Sequence, residues 1–176
     1  MEITINQLRK LGACESQVLK FQELFGESVE VTHELCLEHA NAFNWCWVAI
    51  KLASATQLKE FRRAIADELM ELNRALDVAY EMYSQITVSA LETYNQTTAA
   101  ARAEHLRTDN STIVSGRVKF NQVLVSAKLT LNQITDPVSA AYNQINTTAI
   151  LKFQLATAKA FYACIAQNHH YDYESN

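Results

Sequence analysis

Three glycines, Gly12, Gly26 and Gly116, and one proline, Pro137, interrupt 176 residues, too few for a turn-rich β fold. There is no glycine-rich phosphate loop, no nucleophile elbow and no zinc-protease helix. Basic side chains are not in excess: 15 Lys and Arg stand against 19 Asp and Glu, a net charge of −4, which argues against a broad phosphate-binding surface. The longest fully apolar run, Trp45 to Ile50, is far short of a membrane span, so no membrane partner is expected. Met1-Glu2-Ile3-Thr4 has neither a basic region nor an apolar core, so no signal peptide is expected and the cytoplasm is the expected compartment. Cys14, Cys36, Cys46 and Cys164 are scattered through helical patterns without a secreted-scaffold spacing, and reduced thiols follow.

What the chain does have is a repeat of eleven residues. In register, the copies begin at Phe61, Leu72, Tyr83, Tyr94 and His105, then at Phe120, Leu131, Tyr142 and Phe153. Eleven residues in three turns is about 3.67 per turn, so one stripe stays on one side of an α-helix with a slight right-handed drift. The first position is large, the fourth is mostly Ala, Ile, Val or Thr, and the eighth is mostly alanine: Ala79, Ala90, Ala101, Ala127, Ala149 and Ala160, with Glu68, Thr112 and Val138 as exceptions. These three positions are expected to form the buried face, and the Asn, Gln, Ser or Arg at positions two and three the wet side.

The spacing from His105 to Phe120 is eleven plus four, and the extra segment contains Asp109-Asn110-Ser111, which suits a turn and an N-cap. The predicted architecture is therefore all-α: a helical head over 1–53, an antiparallel helical hairpin over 54–166 with its turn near 108–111, and a polar tail over 167–176. The hairpin would be a hendecad coiled coil. A turn near residue 109 makes facing residue numbers add to about 219, which sets Glu92 near Lys128, Glu68 near Lys152 and Glu60 near Lys159. Residues 54–107 carry six basic and eight acidic side chains and residues 108–166 five and two, so the arms attract. Pro137 removes one helical N–H, so a kink or a break of the second arm is expected there.

In the head, Thr4 is expected to cap a helix through Leu11 that Gly12 ends, a second helix to run from Glu15 to Phe25 and stop at Gly26, Thr32 to cap a third through Ala40, and Asn44 a fourth from Trp45. Thr56 then starts the first arm. Leu8, Leu11, Val18, Phe21, Leu24, Phe25, Leu35, Leu37, Phe43, Trp45 and Trp47 make the predicted head core. A helix-turn-helix reading around Gly26 is opposed by Glu27, Glu30, Glu34 and Glu38, which would repel DNA, so no nucleic-acid partner is expected.

The phrases Asn6-Gln7-Leu8-Arg9-Lys10-Leu11-Gly12-Ala13-Cys14, Phe25-Gly26-Glu27-Ser28-Val29 and Asn44-Trp45-Cys46-Trp47 resemble the opening of uncharacterised repeat proteins of bacteria, phages and prophages. Their repeat, Tyr-x-x-Ile/Val-x-x-Pro-Ala-x-Ala-x, is also eleven long. Leu131 to Ala141, with Pro137 inside it, followed by Tyr142, is the nearest match, and the other copies lack the proline. The resemblance implies a mobile-element context and no mechanism.

Cys36 and His39 lie three apart with His33 and Glu30 just before them, a spacing able to hold a metal, although no second Cys/His pair matches it; His169-His170 would have to complete such a site. Glu68 occupies an alanine position and is expected at the seam, and Tyr80, Tyr83, Tyr94 and Tyr142 are expected to pack there. The amides Asn121, Gln122, Asn132, Gln133, Asn143 and Gln144 form a ladder at a regular pitch, and with Glu27, Glu30, Glu34 and Glu38 they are the candidate partner-binding residues. No cofactor and no catalytic residue is assigned. The expected role is a non-enzymatic phage or prophage accessory protein that binds a host protein, with inhibition of a host-defence complex as its specific form. The alternatives are a self-assembling scaffold and, third, a metal-binding enzyme.

Overall fold

A computed structural model describes residues 1–107 and 113–166. The elements in order are β1 (Glu2–Thr4), α1 (Ile5–Lys10), α2 (Glu15–Phe25), β2 (Ser28–Glu30), α3 (His33–Glu38), α4 (Trp45–Leu52), α5 (Ala55–Ala64), α6 (Ala66–Arg107) and α7 (Ile113–Phe161), and a π-helical turn over Tyr162–Ala166 ends the series. The fold is all-α apart from one short antiparallel ribbon. The chain divides into two compact units, unit 1 formed by Met1–Asn73 with Thr148–Asn176 and unit 2 by Arg74–Thr147. The segment expected to turn, Asp109-Asn110-Ser111, and the tail with His169-His170 lie outside the described residues.

In unit 1 the cap chemistry works locally as read. Thr4 accepts from the Gln7 amide and Thr32 from that of Leu35, while the Asn44 side chain accepts from Trp47. Each of these caps satisfies an amide that the first helical turn leaves over. Gly12 and Gly26 take φ of +83 and +77, the region where a side chain is strained and a helix ends readily on glycine.

Three details differ from expectation. β1 pairs with β2 through Glu2↔Glu30, Ile3↔Val29 and Thr4↔Ser28; strands of three residues are too short to show an alternating pattern, so helical patterning alone missed them. α3 stops at Glu38 rather than Ala40, because the Ala40 amide bonds Leu37 and those of Ala42 and Phe43 bond His39, which winds the chain into tight turns. The first arm begins with a capping box at Ser54 and Gln57 rather than at Thr56, and it breaks at Ile65 into α5 and α6. Phe61 and Ile65 both enter the core of unit 1, and that packing overrides helical continuity.

The core of unit 1 is aromatic and closed. Trp45, Phe21, Phe61 and Phe161 are essentially inaccessible. The rings run in a chain, with Phe21–Phe25 at 5.1 Å, Phe25–Phe43 at 5.5 Å, Phe43–Trp45 at 5.0 Å and Trp45–Phe161 at 5.1 Å between centroids. The Trp45 indole donates to the His39 carbonyl at 3.2 Å, so the one polar atom of that ring is not stranded. Of the residues expected in this core, Leu24, Phe25, Leu35 and Trp47 are half-buried and pack against it, and Leu11 and Leu37 are half-buried outside it. Ile3, Cys36, Val48, Phe161 and Ile165 belong to it without having been expected there.

In unit 2, α6 and α7 form an antiparallel helical hairpin. Tyr83 lies against Tyr142 at 5.1 Å and His105 stacks on Phe120 at 5.3 Å. All four are first positions of the repeat, so copies on one arm meet copies on the other. The paired numbers add to 225 in both cases, and in unit 1 Glu71 and Lys152 add to 223, against the expected 219. The register is therefore displaced by four to six residues, between one and two helical turns. Lys152 meets Glu71 at 2.6 Å instead of Glu68, and Glu92–Lys128 and Glu60–Lys159 are not ion pairs.

Pro137 does not break α7, which is one helix from Ile113 to Phe161. Its ring sits at an exposed seventh position, away from the seam, so the loss of one N–H falls where packing is least affected.

Candidate interaction surface

The seam of the hairpin is not the expected set of positions. Positions one, five and eight are inside on both arms, and the fourth position is exposed at Ile86, Thr97, Val123, Ile134 and Ile145. The reason is angular. At about 98° per residue, position five lies about 33° from position one and position four about 65° from it, on the flank. The fifth position holds Thr87, Thr98, Leu124, Thr135 and Asn146, a mixed set that hid it from a reading by hydrophobicity. Tyr83, Tyr94 and Tyr142 are half-buried as expected, whereas Tyr80 is 62% exposed at position nine.

This seam is thin. Among the described residues of unit 2 only Ala79 and Ala90 are buried. Thr87 Oγ1, His105 Nδ1 and Asn146 Oδ1 lie in it without a protein hydrogen-bond partner among the described residues, and such atoms weaken a seam.

The flanks differ. Because the arms are antiparallel, position four of each arm comes to one face, with positions seven and eleven beyond it, and position nine of each arm comes to the other, with positions two and six. The first of these, the front face, holds a groove of about 490 Å³ with Ala90, Thr97, Ser126, Ala127 and Thr130 on its floor and sides and Val123 and Ile134 at its edge. A second hollow of about 320 Å³, lined by Ala101, His105, Gly116 and Phe120, shares Lys119 and Val123 with the first. Small residues here let another helix approach closely. Of the eighteen described side chains at positions four, seven and eleven in unit 2, only Glu104 and Lys119 are charged. The back face carries Asp77, Arg102, Arg117, Lys128 and Asp136.

The candidate residues named from sequence fall into separate places. Asn121, Asn132 and Asn143 sit at position two on the back face and Gln122, Gln133 and Gln144 at position three on the outer edge; all six are exposed, and only Gln122 also borders the groove. Glu27, Glu30, Glu34 and Glu38 are exposed on unit 1. Glu30 faces Glu2 across the ribbon, a like-charge pair that costs stability, and the Glu27 carboxylate accepts from Gln22 at 3.1 Å.

The residues proposed for a metal are used in packing. Cys36 is fully buried, and burial pushes its thiol up to about 12. The His39 ring packs edge-on to Phe25 at 4.9 Å and His33 lies against Tyr162 at 5.3 Å. Among the described residues no group of three or more His, Cys, Asp or Glu gathers as metal ligands would. Burial also raises Cys46 and Cys164, opposed at Cys46 by Arg62 and reinforced at Cys164 by Glu60. Cys14 is lowered, first by its hydrogen bond with the Ser16 hydroxyl, and is exposed.

The second arm has one more property that short apolar runs concealed. The helical run Val114–Ala166 is long and apolar enough, by length and composition alone, to cross a membrane. No known protein family, curated protein or solved structure matches the chain.

Proposed function

We propose that this protein acts without catalysis, by binding protein through the uncovered helical faces of unit 2. The observation that carries the reading is the mismatch between the seam and the apolar surface left outside it. Two buried alanines accompany Val78, Ile86, Val88, Leu91, Val118, Val125, Leu129, Ile134 and Ile145, each more than a third exposed. A segment of this length loses roughly 1–2 kcal/mol of backbone entropy per residue on ordering, which so thin a core does not offset. Further burial against a partner supplies what is missing.

The arms associate in this reading as a coiled coil of eleven-residue period. The resemblance to phage and prophage repeat proteins supports an accessory role in the host cytoplasm, with a host protein, such as a component of a defence complex, as the partner. A scaffold built by self-assembly is the second reading, favoured by the presence of the same repeat on both arms. Affinity capture from a bacterial lysate tests the first. A captured protein that is lost with Ile134→Glu and retained with Asn132→Glu supports binding through unit 2. A monomeric protein that captures nothing overturns it.

A further inference from the structure

Unit 1 holds a hollow that the interaction reading does not use. We infer that it binds a neutral purine base or nucleoside, held at its edges by side-chain amides and at its faces by apolar contact.

The hollow, of about 340 Å³, lies wholly within unit 1, between α2, the tight turns that precede α4 and the residues near the end of α7. That volume is at the small end of the range for small-molecule sites, roughly 300–1,000 Å³. Three parts of the chain each bring one primary amide to it: Gln17 from α2, Asn41 from the turns and Gln154 from α7. Gln17 and Gln154 are half-buried and Asn41 is exposed, and none of the three side chains makes a hydrogen bond among the described residues. On α7 the wall is built from Phe153, Gln154 and Thr157, which share one face because 153 and 157 are four apart and 154 and 157 three. Thr157 is 3% exposed and donates its hydroxyl to the Phe153 carbonyl at 2.8 Å, so the floor beneath the amides is already satisfied and fixed.

Three properties of the lining select the ligand. The first is charge. None of the twelve lining residues is charged, so a phosphate, carboxylate or ammonium group that entered would lose water with no counter-charge in return. The ligand is neutral. The second is the amides, each of which offers two N–H donors and a carbonyl acceptor. A ligand that pairs with more than one of them must carry donors and acceptors side by side along its rim, and a plain hydrocarbon would leave all three unpaired. The third is the walls: the Phe43 ring is buried and the Phe153 ring half-buried, with Ala40 and Ala42 beside them. They suit a ligand with flat apolar faces. A purine meets all three requirements. Its edges alternate donors and acceptors, Asn and Gln amides pair bidentately with the N6 and N7 of adenine, and its faces pack on aromatic and aliphatic side chains.

The test is calorimetric titration of the full chain with adenosine and with guanosine, backed by saturation-transfer NMR of the nucleoside protons. Saturable binding of at least one of them is expected, with a Kd below about 1 mM. Asn41→Leu and Gln154→Leu are each expected to weaken it roughly tenfold, while an unchanged near-ultraviolet signal from buried Trp45 shows that unit 1 remains folded. Gln133→Leu, an amide removed from unit 2, is expected to leave the affinity as it was. The 5′-monophosphates are expected to bind more weakly than the nucleosides.

A chain that neither nucleoside saturates at millimolar concentration overturns the inference, as does binding indifferent to both Asn41→Leu and Gln154→Leu. Monophosphates that bind more tightly than the nucleosides overturn the neutral site. Methyl glucoside that binds through Asn41 and Gln154 where the nucleosides do not assigns the hollow to a neutral sugar and overturns the purine. Each of these failures leaves protein binding through unit 2 standing, because that reading is tested at Ile134.

Discussion

Units 1 and 2 contain parts of the same two long helices, yet they bury different things. In unit 1, α5, the break before α6, the end of α7 and the π-helical turn after it place Phe61, Ile65, Phe161 and Ile165 in a core with Trp45 and Phe21. In unit 2 the two long helices meet through Ala79 and Ala90, with half-buried tyrosines between. The first arrangement closes on itself because short helices supply a third and fourth side to the core. The second has two sides only. A repeat of good helical period therefore sets which residues face each other without supplying enough apolar burial to stand alone.

The comparison breaks most visibly at Trp45. Trp45→Ala is expected to cost about 3–5 kcal/mol in unit 1, read as a lower urea midpoint of tryptophan and tyrosine fluorescence; an effect under 1 kcal/mol would mean the aromatic core is not what stabilises the unit. Ala90→Leu in unit 2 is expected to cost about 1–3 kcal/mol by overpacking the seam, measured by circular dichroism on urea titration. A neutral result would show that the arms are farther apart than the buried alanine implies.

The pH dependence sharpens the contrast, because only unit 1 holds a fully buried thiol. Cys36 is raised from an ordinary 9.0 to about 12. Below pH 9 it is protonated whether folded or not, so it adds no slope. Above pH 9 the unfolded chain ionises first, and stability falls by up to about 1.4 kcal/mol per pH unit until the folded thiol also titrates. Cys36→Ala or Cys36→Val is expected to remove that slope in denaturant titrations between pH 9 and pH 11. The smallest effect belongs to Glu71 and Lys152, which are mostly exposed at 62% and 59%. A double-mutant cycle is expected to return less than about 1 kcal/mol of coupling, and salt to reduce it.

What is legible in the sequence follows the range of the interaction. The caps at Thr4, Thr32 and Asn44 and the stops at Gly12 and Gly26 are legible because three or four neighbouring residues determine them. The hairpin is legible because the repeat is long. Its register is not: the number of residues spent in the turn cannot be counted from pattern, and an error of one helical turn replaces Glu71 by Glu68 as the partner of Lys152. The ribbon of Ile3 and Val29 joins segments far apart in sequence and leaves no periodic trace.

The candidate site was half legible. The asparagine and glutamine column was seen, and it is exposed. The groove beside Val123 and Ile134 was missed because position four was assigned to the seam. Hydrophobicity favours position four, with Ile86, Val123, Ile134 and Ile145, over position five, with Thr87, Thr98, Thr135 and Asn146, and only the angle places five inside.

The sum of 225 that joins Tyr83 to Tyr142 and His105 to Phe120 has a consequence for inheritance. Lengthening or shortening this gene by one repeat on a single arm leaves every copy beyond the change opposite the wrong neighbour by three turns. Changes made in matched pairs, one copy from each arm, keep all remaining partners. Natural size variants of such a chain should therefore differ by twenty-two codons rather than eleven.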